Sequence, residues 1–265
     1  MKEKYSLALG GGAARGFIHI GILQYTEEQN IEIGEVSGTS MGAIIAGLIA
    51  LGKTSEEITI IAKEINYLKL IDLDLKKGLL KGKKVLKKLD EIFGDHTIQD
   101  AKIPLRIVAT CVETGQKHIF SSGKISDAVR ASLSLPGIFI PHKIGDFSYI
   151  DGGITCNLPM DVLEGKNIIG VSALKTMTGE LSSRRKIFGI EFNKGFFNLN
   201  YQIMHRTIVL MMKQNEDHSY NVSKNNNSFL LSPDFGKLDY YSFDKIDDFV
   251  KLGYQEAKVK LTLII

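Results

Sequence analysis

The sequence predicts a three-layer α/β/α fold around a mainly parallel central sheet, and three observations carry that prediction. Within its first 51 residues the chain alternates strand, glycine loop, helix, strand, tight turn and helix. A strand–helix–strand crossover within one sheet is right-handed and makes its strands parallel, which places helices on the sheet faces. The α/β pattern resumes with a β-branched strand over 105–112, and again with a strand over 228–231 between helical stretches over about 198–220 and 244–261. At 265 residues, 44% apolar and 24% charged, the chain is long and apolar enough to bury a substantial core as one domain over 1–265. The motif-bearing part covers about 5–175, and 176–265 is less marked. No internal repeat or low-complexity tract interrupts it.

The elements follow in order. Residues 5–9 (Tyr-Ser-Leu-Ala-Leu) read as a buried strand, residues 10–16 as a glycine-rich loop, and 17–29 as a helix with Ile18, Ile22 and Tyr25 on one face. After Ile31 and Ile33 a short strand ends at Val36 and Ser37. The pentapeptide Gly38-Thr39-Ser40-Met41-Gly42 then turns directly into an apolar helix over 43–51. So tight a strand-to-helix turn crowds any Cβ at its flanks, which accounts for Gly38 and Gly42. Ser40 then stands at a helix N-terminus, where the dipole favours negative charge. Thr54 and Glu57 form a capping box that opens a helix through Ile65. A turn at Glu113-Thr114-Gly115 leads from the 105–112 strand into a hairpin over 116–120, and Ser126 is placed to cap the helix carrying Val129, Arg130 and Leu133.

This order has a chemical reading. The two first loops emerge at one sheet edge, so the N–H groups of Gly10, Gly11 and Gly12 are expected beside the Ser40 hydroxyl, as an oxyanion hole requires. A dinucleotide site fits poorly. The loop lacks the G-x-G-x-x-G spacing, and the second strand ends without the carboxylate that holds a ribose. No Gly-Lys-Ser/Thr follows the loop, which excludes a P-loop.

A serine hydroxyl needs a base. Asp151 is the strongest candidate, at the end of the short apolar stretch Phe147-Ser-Tyr-Ile-Asp151 before Gly152 and Gly153, where desolvation raises a carboxyl pKa. An Asp-Gly-Gly surface turn is the plain alternative. A Ser-His-Asp triad in α/β-hydrolase order leaves only His205 and His218 after Asp151, both in the 198–220 helical stretch, while His19, His96, His118 and His142 precede it.

Taken together, these motifs resemble the patatin-like phospholipases of the short bacterial type. The resemblance rests on Gly10-Gly-Gly-Ala-Ala-Arg15-Gly16 with His19, Ile20 and Gly21, on Gly38 to Gly42, on Asp151-Gly-Gly153 with Asn157-Leu-Pro159, and on the block from Arg130 and Ser132 through Pro136-Gly137 and Phe139 to Pro141. It implies a Ser40–Asp151 dyad without histidine, an acyl-enzyme, and an oxyanion hole from the glycine loop. It also implies a lipid ester substrate drawn from phospholipids, lysophospholipids or neutral acylglycerols, a serine esterase of lipid degradation. Arg15 matches the family's basic position and either orders the loop or meets an anionic headgroup, with the ordering role favoured. Many relatives carry Gly where this chain has Ala13. A lipid-binding or regulatory module with little turnover, and an acyltransferase or thioesterase using the same dyad, are the alternatives.

Composition sets the surroundings. The chemistry requires no cofactor, and Cys111 and Cys156 suggest neither metal nor a disulfide framework, in keeping with a reducing cytoplasm. Met1 to Tyr5 leads straight into the first strand, which reads as no secretory leader, and the longest apolar run, 41–51, is too short to span a bilayer. Between Lys76 and Lys88 seven lysines and no acid occur against a net charge of +3, an expected peripheral contact with an anionic membrane or else a solvated helix face. Nucleic-acid binding needs more basic residues and interleaved aromatics. The apolar and basic stretch from Lys175 to Asn200 reads equally as a lid over the cleft or a packed helix.

Overall fold

A computed structural model of the chain describes residues 3–74, 79–175, 185–187, 190–192, 196–223 and 227–262, with backbone alone between 185 and 202. The elements run β1 (Lys4–Leu9), α1 (Ile18–Glu28), β2 (Glu32–Thr39), α2 (Met41–Ala50), α3 (Ser55–Glu64), β3 (Leu73–Asp74), β4 (Leu79–Leu80), α4 (Lys83–Phe93), β5 (Leu105–Cys111) and β6 (Lys117–Phe120). They continue with α5 (Ile125–Ser132), β7 (His142–Ile144), β8 (Phe147–Asp151), α6 (Gly153–Cys156), β9 (Asn167–Val171), β10 (Arg185–Ile187), β11 (Ile190–Phe192), α7 (Phe196–Ser223), β12 (Asn227–Leu231) and α8 (Ile246–Leu261).

The main sheet has eight strands in the order β12-β9-β1-β2-β5-β8-β7, with β6 also on β5. Neighbours from β12 through β5 are parallel, while β5, β8 and β7 pair antiparallel. This is the predicted mainly parallel sheet, and alternation along its strands defines the layers. Leu7, Leu9, Ile107, Ala109, Ile169 and Val171 face one large core built with α1, α2, α3, α4, α5 and α8. Ala8, Val108 and Ile168 face the opposite side, against Leu158, Met160, Cys156 and Val162, with Tyr220 of α7 packed there. Covering both faces explains why these strands read as continuous apolar runs. The helix α2, apolar all round, lies inside the protein, with every residue but Ile44 buried.

Most predicted boundaries hold within a residue or two. Thr54 and Glu57 form the expected reciprocal cap at the start of α3. Ser126 differs. The helix begins at Ile125, so Ser126 lies inside α5 and its hydroxyl donates to Asp90 on α4 at 2.7 Å instead of capping.

One junction positions the chemistry. Ile107 of β5 pairs with both Gly38 of β2 and Phe120 of β6, and Ala109 pairs with both Asp151 of β8 and His118 of β6. A residue has only two ladder edges, so β2 and β8 share the same edge of β5, end to end. β2 stops at the partner of Val108, and β8 arrives from the opposite direction to stop at the partner of Ala109. Ser40 and Asp151 are the residues at those facing ends.

Candidate active site

Ser40 sits on the tight turn between β2 and α2 with φ 54° and ψ −123°, a strained conformation for a residue with a Cβ. Neighbouring backbone forces the turn: a Cβ on Gly42 would stand 2.2 Å from the Leu9 carbonyl oxygen, and one on Gly38 2.4 Å from that of Gly42. The Ser40 N–H donates to Ser132 Oγ at 2.7 Å, and the Ser132 hydroxyl donates in turn to the Val108 carbonyl at 2.6 Å. Ser132 therefore ties the elbow to α5 and β5 together.

Asp151 ends β8 and is 1% exposed. Burial lifts its carboxyl from the usual carboxylate value to about 6, opposed by hydrogen bonds from the Gly153 N–H, at 2.8 Å, and from the Ser40 side chain. A neutral-pH carboxylate in contact with a serine hydroxyl has the pKa expected of a general base.

The glycine loop is pinned peptide by peptide. The Gly10 N–H donates to Val171 O at 2.9 Å, extending the β1–β9 ladder, and the Gly11 N–H donates to Asn157 O at 3.2 Å. Two of the three N–H groups expected to form the oxyanion hole are therefore already taken, by the carbonyls of strand β9 and of Asn157. His19, fully buried, donates its Nε2–H to Gly10 O at 2.8 Å, and desolvation lowers its pKa to about 4, so the ring is neutral. Asn157 Nδ2 donates to Gly11 O at 3.1 Å. The N–H groups of Gly12 and Ala13 open a short 3₁₀ helix and have no backbone acceptor among the described residues. Ala13 holds φ 47°, the conformation glycine adopts more readily.

Arg15 turns away from the serine. Its Nε donates to Leu238 O at 3.1 Å, and its guanidinium lies 3.8 Å from the Tyr240 ring centroid and 4.8 Å from that of Phe235. It lines neither cleft described below, and together with the Ala14 N–H on Tyr240 O it fastens the loop to the segment before α8.

Two clefts meet at Ser40. The smaller, about 500 Å³, is lined by Gly11, Gly12, Asp151 and Asn157 and closed by α7 through His205, Ile208, Val209 and Met212. The larger, about 840 Å³, runs past Met41 and Ile44 between Tyr67, Leu70, Ile71, Leu80, Val85 and Phe139. Ala13, Leu135, Ile138 and Tyr241 line both, and the walls are overwhelmingly apolar. Of the two triad candidates, His218 is exposed, while His205 is buried in the smaller cleft beside the Tyr241 hydroxyl at 3.4 Å. Among the described residues no cluster of His, Cys, Asp and Glu suits a metal ion, and Cys111 and Cys156 are free and buried.

Beyond the cleft, the lysine-rich stretch divides. Lys76 and Lys77 lie outside the described residues; Lys81, Lys83, Lys84 and Lys87 are exposed, and Leu89 and Phe93 of α4 turn into the core. Of the Lys175 to Asn200 stretch, the described parts are Lys175, the antiparallel pair β10–β11 and the start of α7, and the lid reading falls largely outside them. Ser132 and Asn157 stand within sequence motifs, but their parts in holding the elbow and the glycine loop come from partners far away in sequence.

A serine on a strained strand-to-helix turn and a buried carboxylate, set at the facing ends of two strands in a mainly parallel sheet, define an α/β protein of the serine-elbow class. The family model for patatin-like phospholipase matches residues 7–164. The chain belongs to that family. An uncharacterised NTE family protein of Mycobacterium tuberculosis strain H37Rv is 36% identical over 168 residues, 62% of this chain and 46% of the relative. Neuropathy target esterase sws of Drosophila melanogaster is 32% identical over 178 residues, 63% of this chain and 12% of the relative. The chain thus spans less than half the length of these curated relatives. Among solved structures, VipD from Legionella pneumophila matches 97% of this chain and 67% of its own with a TM-score of 0.57 at 13% identity, a likeness of fold.

Proposed function

We propose that residues 1–265 act as one catalytic domain, a serine acyl hydrolase that cleaves lipid acyl esters. The observation that carries this reading is the contact between Ser40 and the buried Asp151 where two apolar clefts converge. Asp151 takes the hydroxyl proton as Ser40 Oγ bonds to the acyl carbon. The carbonyl electrons move to an oxygen held by the N–H groups of Gly12 and Ala13, and the positive end of α2 favours the same charge. Collapse breaks the ester bond, and the alcohol leaves with the proton from Asp151. Water then repeats the sequence on the acyl-enzyme, with Asp151 as base, and releases the fatty acid. The larger cleft, apolar along its whole length, suits the acyl chain, and the smaller one the alcohol side.

The same reading places the enzyme in the cytoplasm, in peripheral contact with anionic membranes. No helix among the described residues is long and apolar enough to cross a membrane. Lys83, Lys84 and Lys87 of α4 are exposed while Val85, on the same helix, lines the larger cleft, so a surface that attracts headgroups adjoins the acyl wall.

A lipid panel covering diacyl and monoacyl phospholipids and neutral acylglycerols, read by product mass analysis, tests activity and substrate class together. The expected products are a free fatty acid and the matching alcohol. A fluorophosphonate probe should label Ser40, and a wild type left unlabelled under conditions that label a control hydrolase would overturn the reading in favour of a lipid-binding module.

A further inference from the structure

The helix α7 presents one continuous buried stripe toward the sheet: His205, Val209, Met212, Glu216, Ser219 and Ser223. Glu216 is the one acid in it, and its side chain is 1% exposed. Its Oε1 accepts from Asn157 Nδ2 at 2.8 Å, and its Oε2 accepts from Ser172 Oγ at 2.8 Å and from Lys213 Nζ at 3.0 Å. The next residue but three toward the N-terminus, Met212, lines the cleft with Ser40, and Asn215 Nδ2 donates to the Ile154 carbonyl at 2.6 Å, so this turn of α7 lies directly on the Asp-Gly-Gly segment.

Asn157 is where this contact meets the chemistry. Its Nδ2 donates both to Glu216 and to Gly11 O, at 3.1 Å, and since a carbonyl and a carboxylate only accept, the amide orientation is settled. The Gly11 carbonyl and the Gly12 N–H belong to one planar trans peptide and therefore point in opposite directions. Holding the carbonyl fixes the plane, and fixing the plane aims the N–H. The preceding peptide is pinned on both sides, by His19 at Gly10 O and by Asn157 O at the Gly11 N–H. The Gly11–Gly12 peptide is held at its carbonyl alone, and Gly12 faces the cleft beside Ser40.

We infer that Glu216 and Asn157 are positioning residues for the oxyanion hole, with Glu216 orienting the Asn157 amide and the amide aiming the Gly12 N–H at the oxygen that becomes negative. This rests on the acyl-hydrolase reading and deepens it, because it makes α7, outside the residues matched by the family model, part of the catalytic apparatus. An orienter of this kind acts on the transition state and leaves substrate binding alone, since the ground-state carbonyl does not need the donor in line.

The test compares wild type, Glu216→Ala, Glu216→Gln and the swapped double variant Asn157→Asp with Glu216→Gln. Rates are normalised to serines titrated to completion with a fluorophosphonate. Glu216→Ala is expected to lower kcat about 10- to 100-fold, part of the loss seen when an oxyanion donor is deleted, with KM within about twofold. Affinity for a trifluoromethyl ketone, which adds Ser40 to form an anionic adduct, falls by the same factor, while affinity for fatty acid product does not change. Glu216→Gln keeps an acceptor for Asn157 and is expected within about threefold of wild type. The double variant keeps a hydrogen bond between the two side chains and, with its new carboxyl ionised, has no donor for Gly11 O; assayed at about pH 8–9 to keep that carboxyl charged, it loses kcat as Glu216→Ala does, with a modest loss of thermal stability from the unpaired carbonyl. It carries the test if Glu216→Ala fails to fold. A double variant with wild-type kcat, or losses in which kcat and fatty acid affinity fall together, overturns the inference alone. A wild type without turnover or labelling overturns it together with the hydrolase reading.

Discussion

The first 174 residues and the part from residue 196 onward contribute to the two clefts in different ways. Ser40, Asp151 and the glycine loop all come from the first part, each at the end of a strand and each fixed by backbone contacts. The second part supplies walls and braces: α7 closes the smaller cleft, Tyr241 and Phe243 line the larger one, and Leu238 with Tyr240 holds Arg15. The family model ends at residue 164, and the curated relatives align over 62–63% of the chain. The reacting groups and most of the larger cleft therefore lie in the first part, while the second adds the α7 wall and, on the inference above, the Glu216 brace on Asn157, and the two parts should respond differently to substitution.

The largest expected effect is in the first part. Ser40→Ala should abolish probe labelling and lower ester turnover by about 10⁴-fold or more, and Asp151→Asn by about 10³- to 10⁴-fold, measured as kcat on a soluble ester. Next comes pH. Asp151 must be ionised to act as base, so kcat/KM should fall as pH drops through about 6. The sign for stability is opposite. Burial raises this carboxyl above its unfolded value of 3.8 to about 6, so the folded state favours the protonated form and loses that contribution as pH rises through 6. Asp151→Asn should then be more stable than wild type near pH 7.5, by on the order of 3 kcal/mol, with the advantage gone near pH 4 in denaturant titrations.

Apart from Glu216, substitutions in the second part should change selection before rate. Ile208→Trp narrows the smaller cleft and should raise KM for bulky lipid esters about tenfold while turnover of a small soluble acetate ester stays within about threefold. His205→Ala should likewise retain activity on the small ester; a folded variant without activity there would return the triad to consideration and break the division. Smallest of all, on soluble ester, is Lys83→Gln with Lys84→Gln, Lys87→Gln and Lys88→Gln. Turnover should be unchanged, while co-sedimentation with anionic vesicles falls steeply, as it should with added salt.

The same division marks what the sequence disclosed. Gly38, Gly42 and the capping box at Thr54 answer to rules that act within a few residues, so the elbow, the parallel pairing of the first two strands and the acid before two glycines were legible, while the order of the other strands was not. The fate of each loop N–H was not, because it depends on β9 and on Asn157, both more than a hundred residues away. Ser126 misled because a serine just before the apolar positions of a helix satisfies a capping pattern locally, while its partner Asp90 is supplied by another helix. His205 and His218 were in part decidable: thirteen positions on a helix turn through about 220°, so the two cannot share a face. Glu216 had no local signal at all.

The end-to-end meeting of β2 and β8 on β5 has a consequence for how the chain can be rewired. The separation of Ser40 and Asp151 is written in hydrogen-bond register along one strand, and the intervening helices and hairpins do not set it. The turns at Gly115 and Gly145 project into open space. Insertions there, or new termini at Gly115 in a circular permutant, would leave both halves of the pair addressed to the same strand edge.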